Sequence, residues 1–225
     1  MRRRKAEVAR KSWEIAAALL RYPDENIHEA LPQIAFAAAE LPGASGDAVA
    51  ALARRWHERT VLDLQREYVE VFDLDRRAAL HLSYHQYGDR RQRGVVLLGL
   101  KRKLEEHGFT AAGEELPDWL PLLLEFAARA PEGAGLDLLE QWRAPIELIR
   151  RRLSERGHEH AVILDLVSGT LGSLGRNAER AVERLLAEGP PEEEVGLEPF
   201  GPESDLGLLE SDLRPGADAP IGVLR

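Results

Sequence analysis

Apolar residues recur at helical spacing along almost the whole chain, and they divide it into amphipathic segments. Such stripes run through Ile15, Leu19 and Leu20, through Leu64, Tyr68 and Phe72, and through Val96, Leu97, Leu100 and Leu104. They continue at Leu120, Leu123, Leu124 and Ala127, at Leu139, Trp142, Ile146, Ile149 and Leu153, at Ile163, Leu166 and Val167, and at Ala178, Val182, Leu185 and Leu186. The pattern predicts an all-α, single-domain helical bundle of about eight to ten helices. Punctuation supports the boundaries. Pro23 and Asp24 precede the second helix, Pro42 to Gly46 follow it, and Gly108 and Gly157 close two later ones. Pro145 is expected to kink the helix that holds it. Only Leu80, Leu82 and Tyr84 alternate with period two, yet Leu80, Tyr84 and Tyr87 also share a helical face. A loop or a short turn of helix is expected there.

From Gly189 the pattern stops. PPEEE and six prolines mixed with acids leave too little apolar surface to offset the entropy of ordering. The organisation predicted is an all-helical domain over 6–188 and an acidic, disordered tail over 189–225.

The chain has 225 residues and 44% hydrophobic content, enough for one sizeable core. It has no cysteine, which excludes disulfides, thiolate nucleophiles and cysteine-ligated metal centres, and an intracellular compartment fits. The net charge is -9, spread unevenly: residues 1–11 carry about +5, residues 189–225 about -7, and the body about -7. An acidic body argues against nucleic-acid binding and favours a basic partner, such as a basic peptide. The apolar run after RRRK is interrupted by Glu14 and closed by Arg21, so no signal peptide is read. No stretch approaches the roughly 20 apolar residues that span a bilayer, so membrane contact is expected only through a partner.

Candidate chemistry is sparse. His81 and His85 stand at metal-ligand spacing with Asp89 a turn beyond, but Leu82 occupies the place where a zinc-protease pattern needs its glutamate base. Histidines packed at an interface fit better. His158 and His160 read as the solvated first turn of a helix. Gly169, Gly172 and Gly175 lack the spacing, strand and lysine of a phosphate loop, and close helix packing explains them better. No catalytic triad or supported carboxylate pair stands out. Neither catalytic nor metal-binding residues are assigned.

The segment from Tyr68 to Ala127 has the composition of an interaction surface. Arg90, Arg91 and Arg93 lie at a helix start, where they oppose the helix dipole, and read either as a solvated basic face or as groups partnered by acids such as Asp73, Asp75 or Asp89 or by an anionic ligand. Tyr68 and Phe72 share one helical face and read mainly as core. Tyr84 and Tyr87 sit beside His and Arg, as expected of a peptide-binding hot spot. The candidate partner-binding set is Tyr68, Phe72, Asp73, Asp75, Arg77, His81, Leu82, Tyr84, His85, Tyr87, Asp89, Arg90, Arg93, Glu115 and Asp118. Within it an amphipathic peptide is expected to lay apolar anchors on Leu82, Tyr84 and Tyr87 and basic residues against Asp73, Asp75 and Asp89.

At these residues the chain resembles the delta-subunit family of respiratory nitrate reductase, the NarJ-type molybdenum-cofactor assembly chaperones within the TorD-like redox-enzyme maturation chaperones. The resemblance is carried by LLRYPDE (Leu19 to Glu25), YVEVFD (Tyr68 to Asp73), YGDRRQRG (Tyr87 to Gly94), ELPDWLPLLLEFAA (Glu115 to Ala128) and EEEV (Glu192 to Val195). The tail lacks the tryptophan often found before the EEE run. The resemblance implies an all-helical, non-enzymatic cytoplasmic protein with no cofactor of its own. It implies a partner, the apo catalytic subunit of respiratory nitrate reductase, bound partly through its N-terminal peptide. It further implies that molybdenum cofactor and iron–sulfur clusters are inserted before membrane attachment. The expected state is a monomer or weak homodimer. Two competing readings are a nucleotide-binding or hydrolysing accessory protein using Arg90 to Arg93, and a permanent structural or regulatory subunit.

Overall fold

In the computed structural model, which describes residues 2–109, 115–131 and 133–189, the all-α pattern is realised by eleven α-helices. The described residues belong to one compact unit, Met1–Pro191. The tail beyond Gly189, with its EEEV run, lies outside the described residues, and no described helix is long and apolar enough to cross a membrane.

Helix α1 (Arg2–Leu19) starts four residues before the predicted boundary and serves as a central strut. It buries Trp13, Ile15, Ala16 and Leu19 against α7 (Leu120–Arg129) and α10 (Ala161–Thr170). Helix α7 is apolar on nearly every side, burying Leu120, Leu122, Leu123, Leu124, Phe126, Ala127 and Ala128. A short helix with that composition keeps only Glu125 and Arg129 at the surface and belongs in the middle of a core.

Helices α2 (Glu25–Ala39) and α3 (Ala44–His57) form an antiparallel hairpin. Asp24 caps α2 by accepting from the Ile27 N–H at 2.8 Å. Gly43, with φ 96°, makes the turn between the two helices, and Gly46 lies inside α3 instead of in the connection. A Cβ at Gly46 would meet the Ala38 carbonyl at 2.7 Å, so only glycine lets the two backbones approach this closely.

Helix α4 (Val61–Tyr68) runs into a single π-helical turn, Val69–Asp73, and then a 3-10 turn, Arg76–Ala78. A short helix α5 (Leu82–Tyr87) fills the segment of mixed periodicity, followed by α6 (Arg91–Glu106). The stripe through Leu139, Trp142 and Ile146 is two helices, α8 (Ala134–Gln141) and α9 (Arg143–Glu155), broken at Trp142. Pro145 therefore kinks nothing. It stands in the first turn of α9, where its missing N–H has no helical partner to lose.

Helix α11 (Arg176–Glu188) is tied to α9 by Arg151, which pairs with Glu179 at 2.8 Å and with buried Glu147 at 2.9 Å. Glu147 also accepts from Arg150, and these guanidinium bonds outweigh its burial and hold its carboxyl down to about 2. Gly169 and Gly175 have no neighbouring atoms a Cβ would touch, and Gly172 donates its N–H to Glu140 at 2.6 Å. Close helix packing is thus not the reason for these glycines.

Candidate functional site

The π turn falls on the YVEVFD segment. One extra residue in the turn lets Val71 and Phe72 both point into the core while Asp73 and Leu74 face solvent. Tyr68 is buried and donates its hydroxyl to the Leu20 carbonyl at 3.3 Å. Burial, with smaller contributions from Asp73 and Glu115, pushes its phenol up. Its ring begins an aromatic path through the core. Tyr22 meets Tyr68 edge-on at 5.3 Å, Phe72 follows at 4.9 Å, and His160 lies between Phe72 and Trp56 at 5.0 and 4.9 Å. His160 is therefore a buried core residue and not part of a solvated turn. Burial holds its imidazole down to about 3.

The segment after the 3-10 turn meets the segment before α7. His81 and Trp119 form an antiparallel bridge, with the Leu82 N–H donating to the Asp118 carbonyl at 3.0 Å and the Leu120 N–H to the Leu80 carbonyl at 2.9 Å. This pairing brings the segment before α5 against the ELPDW segment that precedes α7. Asp118, wholly buried, does not cap its own helix. Its carboxylate instead accepts from the backbone N–H of Ser83 at 3.2 Å and from the Ser83 hydroxyl, both in the first turn of α5.

His81 Nδ1 donates to the other Asp118 oxygen at 3.1 Å, and Arg93 approaches at 3.4 Å while its Nε donates to the Ser83 hydroxyl at 3.1 Å. Burial alone would raise the Asp118 carboxyl, but hydrogen bonds from His81 and Ser83 and the charges of His81 and Arg93 overcome it and hold it low. Asp118 is thus a fixed anion that joins α5, α6 and the approach to α7.

Arg93 also lies 3.6 Å from Asp89 and stands over the Tyr84 ring at 5.6 Å. Of the acids expected to offset the arginines at the start of α6, Asp89 does so for Arg93, and the unforeseen partner is Asp118. Asp75 is engaged elsewhere. It pairs with Arg152 at 2.9 Å and Arg156 at 3.5 Å, and caps the 3-10 turn through the Arg77 N–H at 3.1 Å. Arg77 itself is exposed and reaches toward Gly189, where a Cβ would stand 3.3 Å from its guanidinium.

The fifteen candidate residues separate into layers. Leu82, His85 and Asp118 are fully buried, and Tyr68 and Phe72 nearly so, which makes Leu82 a core residue that cannot serve as a surface anchor in this conformation. His85 donates Nε2 to the Ala79 carbonyl at 2.8 Å, leaving Nδ1 without a partner, and burial depresses its imidazole to about 4. His81 and His85 thus face different partners and do not converge on a metal position. Among the described residues no group of three or more metal-ligating side chains is found.

The accessible layer is Asp73, His81, Tyr84, Tyr87, Asp89, Arg90 and Glu115. Burial raises the Asp73 carboxyl, partly offset by His81, which places Asp73 and His81 in one electrostatic neighbourhood. Three residues outside the predicted set complete the site: Ser83, Trp119 and Arg21. Arg21 stands over the Trp119 ring at 5.7 Å, linking α1 to the His81 bridge. Trp119 was visible as the odd aromatic of the ELPDW segment. Arg21 lay within the LLRYPDE segment, and Ser83 carried no signal of its own.

This junction lies inside the region that known proteins share. The family model described as nitrate reductase delta subunit matches residues 38–162, more than half the chain. The chain belongs to the nitrate reductase delta subunit family. It is 32% identical over 178 residues to the nitrate reductase molybdenum cofactor assembly chaperone NarJ of Escherichia coli (strain K12), covering 77% of this chain and 75% of the relative. The probable chaperone of the same name from Bacillus subtilis (strain 168) is 34% identical over 112 residues, 50% of this chain and 61% of the relative. The nitrate reductase-like protein NarX of Mycobacterium tuberculosis (strain ATCC 25618 / H37Rv) is 33% identical over 175 residues, and there the match spans 24% of the relative. The family match covers α3 to α9 and with them both halves of the Asp118 junction.

Proposed function

We propose that this protein is a non-enzymatic, cytoplasmic chaperone that binds the apo catalytic subunit of respiratory nitrate reductase. In this reading it holds that subunit open while molybdenum cofactor and iron–sulfur clusters enter, and delays membrane attachment until loading is complete. The cofactor is the client's cargo, and no residue here is assigned to hold it. The observation that carries the reading is the long similarity to relatives named as molybdenum cofactor assembly chaperones, which includes the whole junction around Asp118.

The geometry supports the reading in three ways. First, Asp118 with His81, Ser83 and Arg93 fixes a six-residue helix that would be marginal alone. Second, α5 presents Tyr84 and Tyr87 at the surface beside Arg90, aromatic and guanidinium groups of the kind that dominate peptide interfaces. Third, Asp73, Asp89 and Glu115 supply carboxylates around it for the basic residues of a client's N-terminal peptide.

Co-purification tests the reading. Tagged chaperone should retain the catalytic subunit from cells unable to make molybdenum cofactor, and should retain little of it once the cofactor is inserted. Recovery of no catalytic subunit from either cell would refute it.

A further inference from the structure

The surface around α5 does not end at Trp119. Arg21, over the Trp119 ring, and Tyr22, half exposed on the Tyr68 ring, form one wall of a depression of about 490 Å³ between α1, α2 and α7. A second depression of about 540 Å³ continues it between α1 and α2, and Glu14, Ala18 and Asn26 line both. Along α2 the trough reaches from Asn26 to Ala37, about 17 Å at the rise of an α-helix.

Its lining has a definite chemistry. The floor is made of small and apolar side chains, among them Ala17, Ala18, Ala30, Ile34 and Ala37, which let another helix backbone come close. Carboxylates line it. Glu125 is already neutralised by Arg129 at 2.8 Å and Arg21 at 3.7 Å, but Glu14 and Glu29 are exposed and ion-paired to no described residue. Phe36, 70% exposed on the adjoining face of α2, adds apolar surface at the margin.

We infer that the recognition surface extends from α5 across Trp119 into this α1–α2 trough, and that the trough takes a basic amphipathic α-helix of about eleven residues from the client. The helix would lay an apolar stripe on the alanine floor and set Lys or Arg against Glu14 and Glu29. Two observations select this occupant: the unpaired carboxylates on the apolar trough, and its continuity through Trp119 with the α5 surface. An acidic segment would meet like charge there, and a flat polar surface would leave the floor uncovered. The inference rests on the chaperone reading above, in which a client segment is bound.

The test uses a fluorescein-labelled 14-residue helical peptide with a leucine stripe flanked by lysines, and a second peptide with glutamates in place of the lysines. Anisotropy should show the lysine peptide binding the full-length protein and the glutamate peptide not binding. Ala18→Trp and Ala30→Trp, which fill the floor from α1 and α2, should each raise the Kd at least tenfold. The exposed pair Glu14→Lys with Glu29→Lys should do the same without disturbing the core, while Glu155→Lys on α9 should leave the Kd unchanged. Equal binding of both peptides, unchanged affinity in the Glu14/Glu29 variant, or an equal loss from Glu155→Lys would overturn the inference. If the trough variants also retain the catalytic subunit as well as the unmodified protein does, the trough assignment falls while the chaperone reading stands.

Discussion

Asp118 caps a helix that begins 36 residues earlier: its carboxylate accepts from the backbone N–H of Ser83 at 3.2 Å. The chain places this carboxylate immediately before α7, yet spends it on α5, because the His81–Trp119 bridge lays the two segments side by side. One buried anion therefore determines whether α5 stands in place to present Tyr84 and Tyr87.

Replacing Asp118 with alanine should leave Arg93 and His81 facing a buried gap and uncap α5. Removing one partner of a buried charge cluster typically costs about 3–5 kcal/mol. Urea unfolding of Asp118→Ala should show a loss of that order, and peptide affinity should fall more than in a variant destabilised to the same degree elsewhere in the core. A loss below about 1 kcal/mol would contradict the capping role.

His85 and His160 should make the fold sensitive to mild acid. Burial lowers them from 6.5 to about 4 and about 3, so the folded protein keeps both neutral where the unfolded chain protonates them. Their contribution is complete above pH 6.5. It is lost as pH falls from 6.5 through about 4, at up to about 1.4 kcal/mol per pH unit for each imidazole. The carboxyl of Glu147, held down to about 2, adds its own loss only below its ordinary value of 4.5. Denaturation midpoints measured from pH 7.5 to 4.5 should decline steadily below pH 6.5, and His160→Phe should flatten the decline. A midpoint constant over that range would show that the imidazoles are not shielded.

Gly135 fixes the crossing of α7 and α8, since a Cβ there would overlap the Ala127 carbonyl. Gly135→Ala should destabilise the fold by about 1–3 kcal/mol through overpacking, despite alanine's better helix propensity. Thermal melting checks this, and an unchanged or raised Tm would mean that the helices separate at no cost.

Tyr84 and Tyr87 carry the proposed client contact. Tyr87→Ala should weaken binding of the catalytic subunit's N-terminal peptide by about 2 kcal/mol, the hot-spot range, with a smaller effect on thermal stability. Titration calorimetry with unchanged affinity would remove the aromatic anchor from the proposal.

The helical class was plain from the spacing of Leu and Ile alone, because the period-3.6 stripes carry most of the burial. Tyr68 and Phe72 also read correctly as core. What the pattern missed depends on contacts between distant segments or on local irregularity. The π turn at Val69–Asp73 leaves no periodic mark over five residues, and a regular helix read through it misplaces Leu74. Leu82 looked accessible because its neighbours are Tyr, His and Ser, but the His81–Trp119 bridge turns it inward. Asp75 looked available to a client, yet Arg152 and Arg156, far along the chain, already hold it. His160 stood beside charged residues in sequence and among Trp56 and Phe72 in space.

The central claim is that the client depends on this protein to acquire its metals. Molybdenum and iron per catalytic subunit, measured by elemental analysis of the subunit purified from cells with and without this chain, tests it most directly. The account predicts that without the chaperone the subunit accumulates with most of its molybdenum cofactor missing, and that the intact chain restores loading while Asp118→Ala restores far less. A subunit that carries its full molybdenum and iron–sulfur complement in the absence of the chain would contradict it.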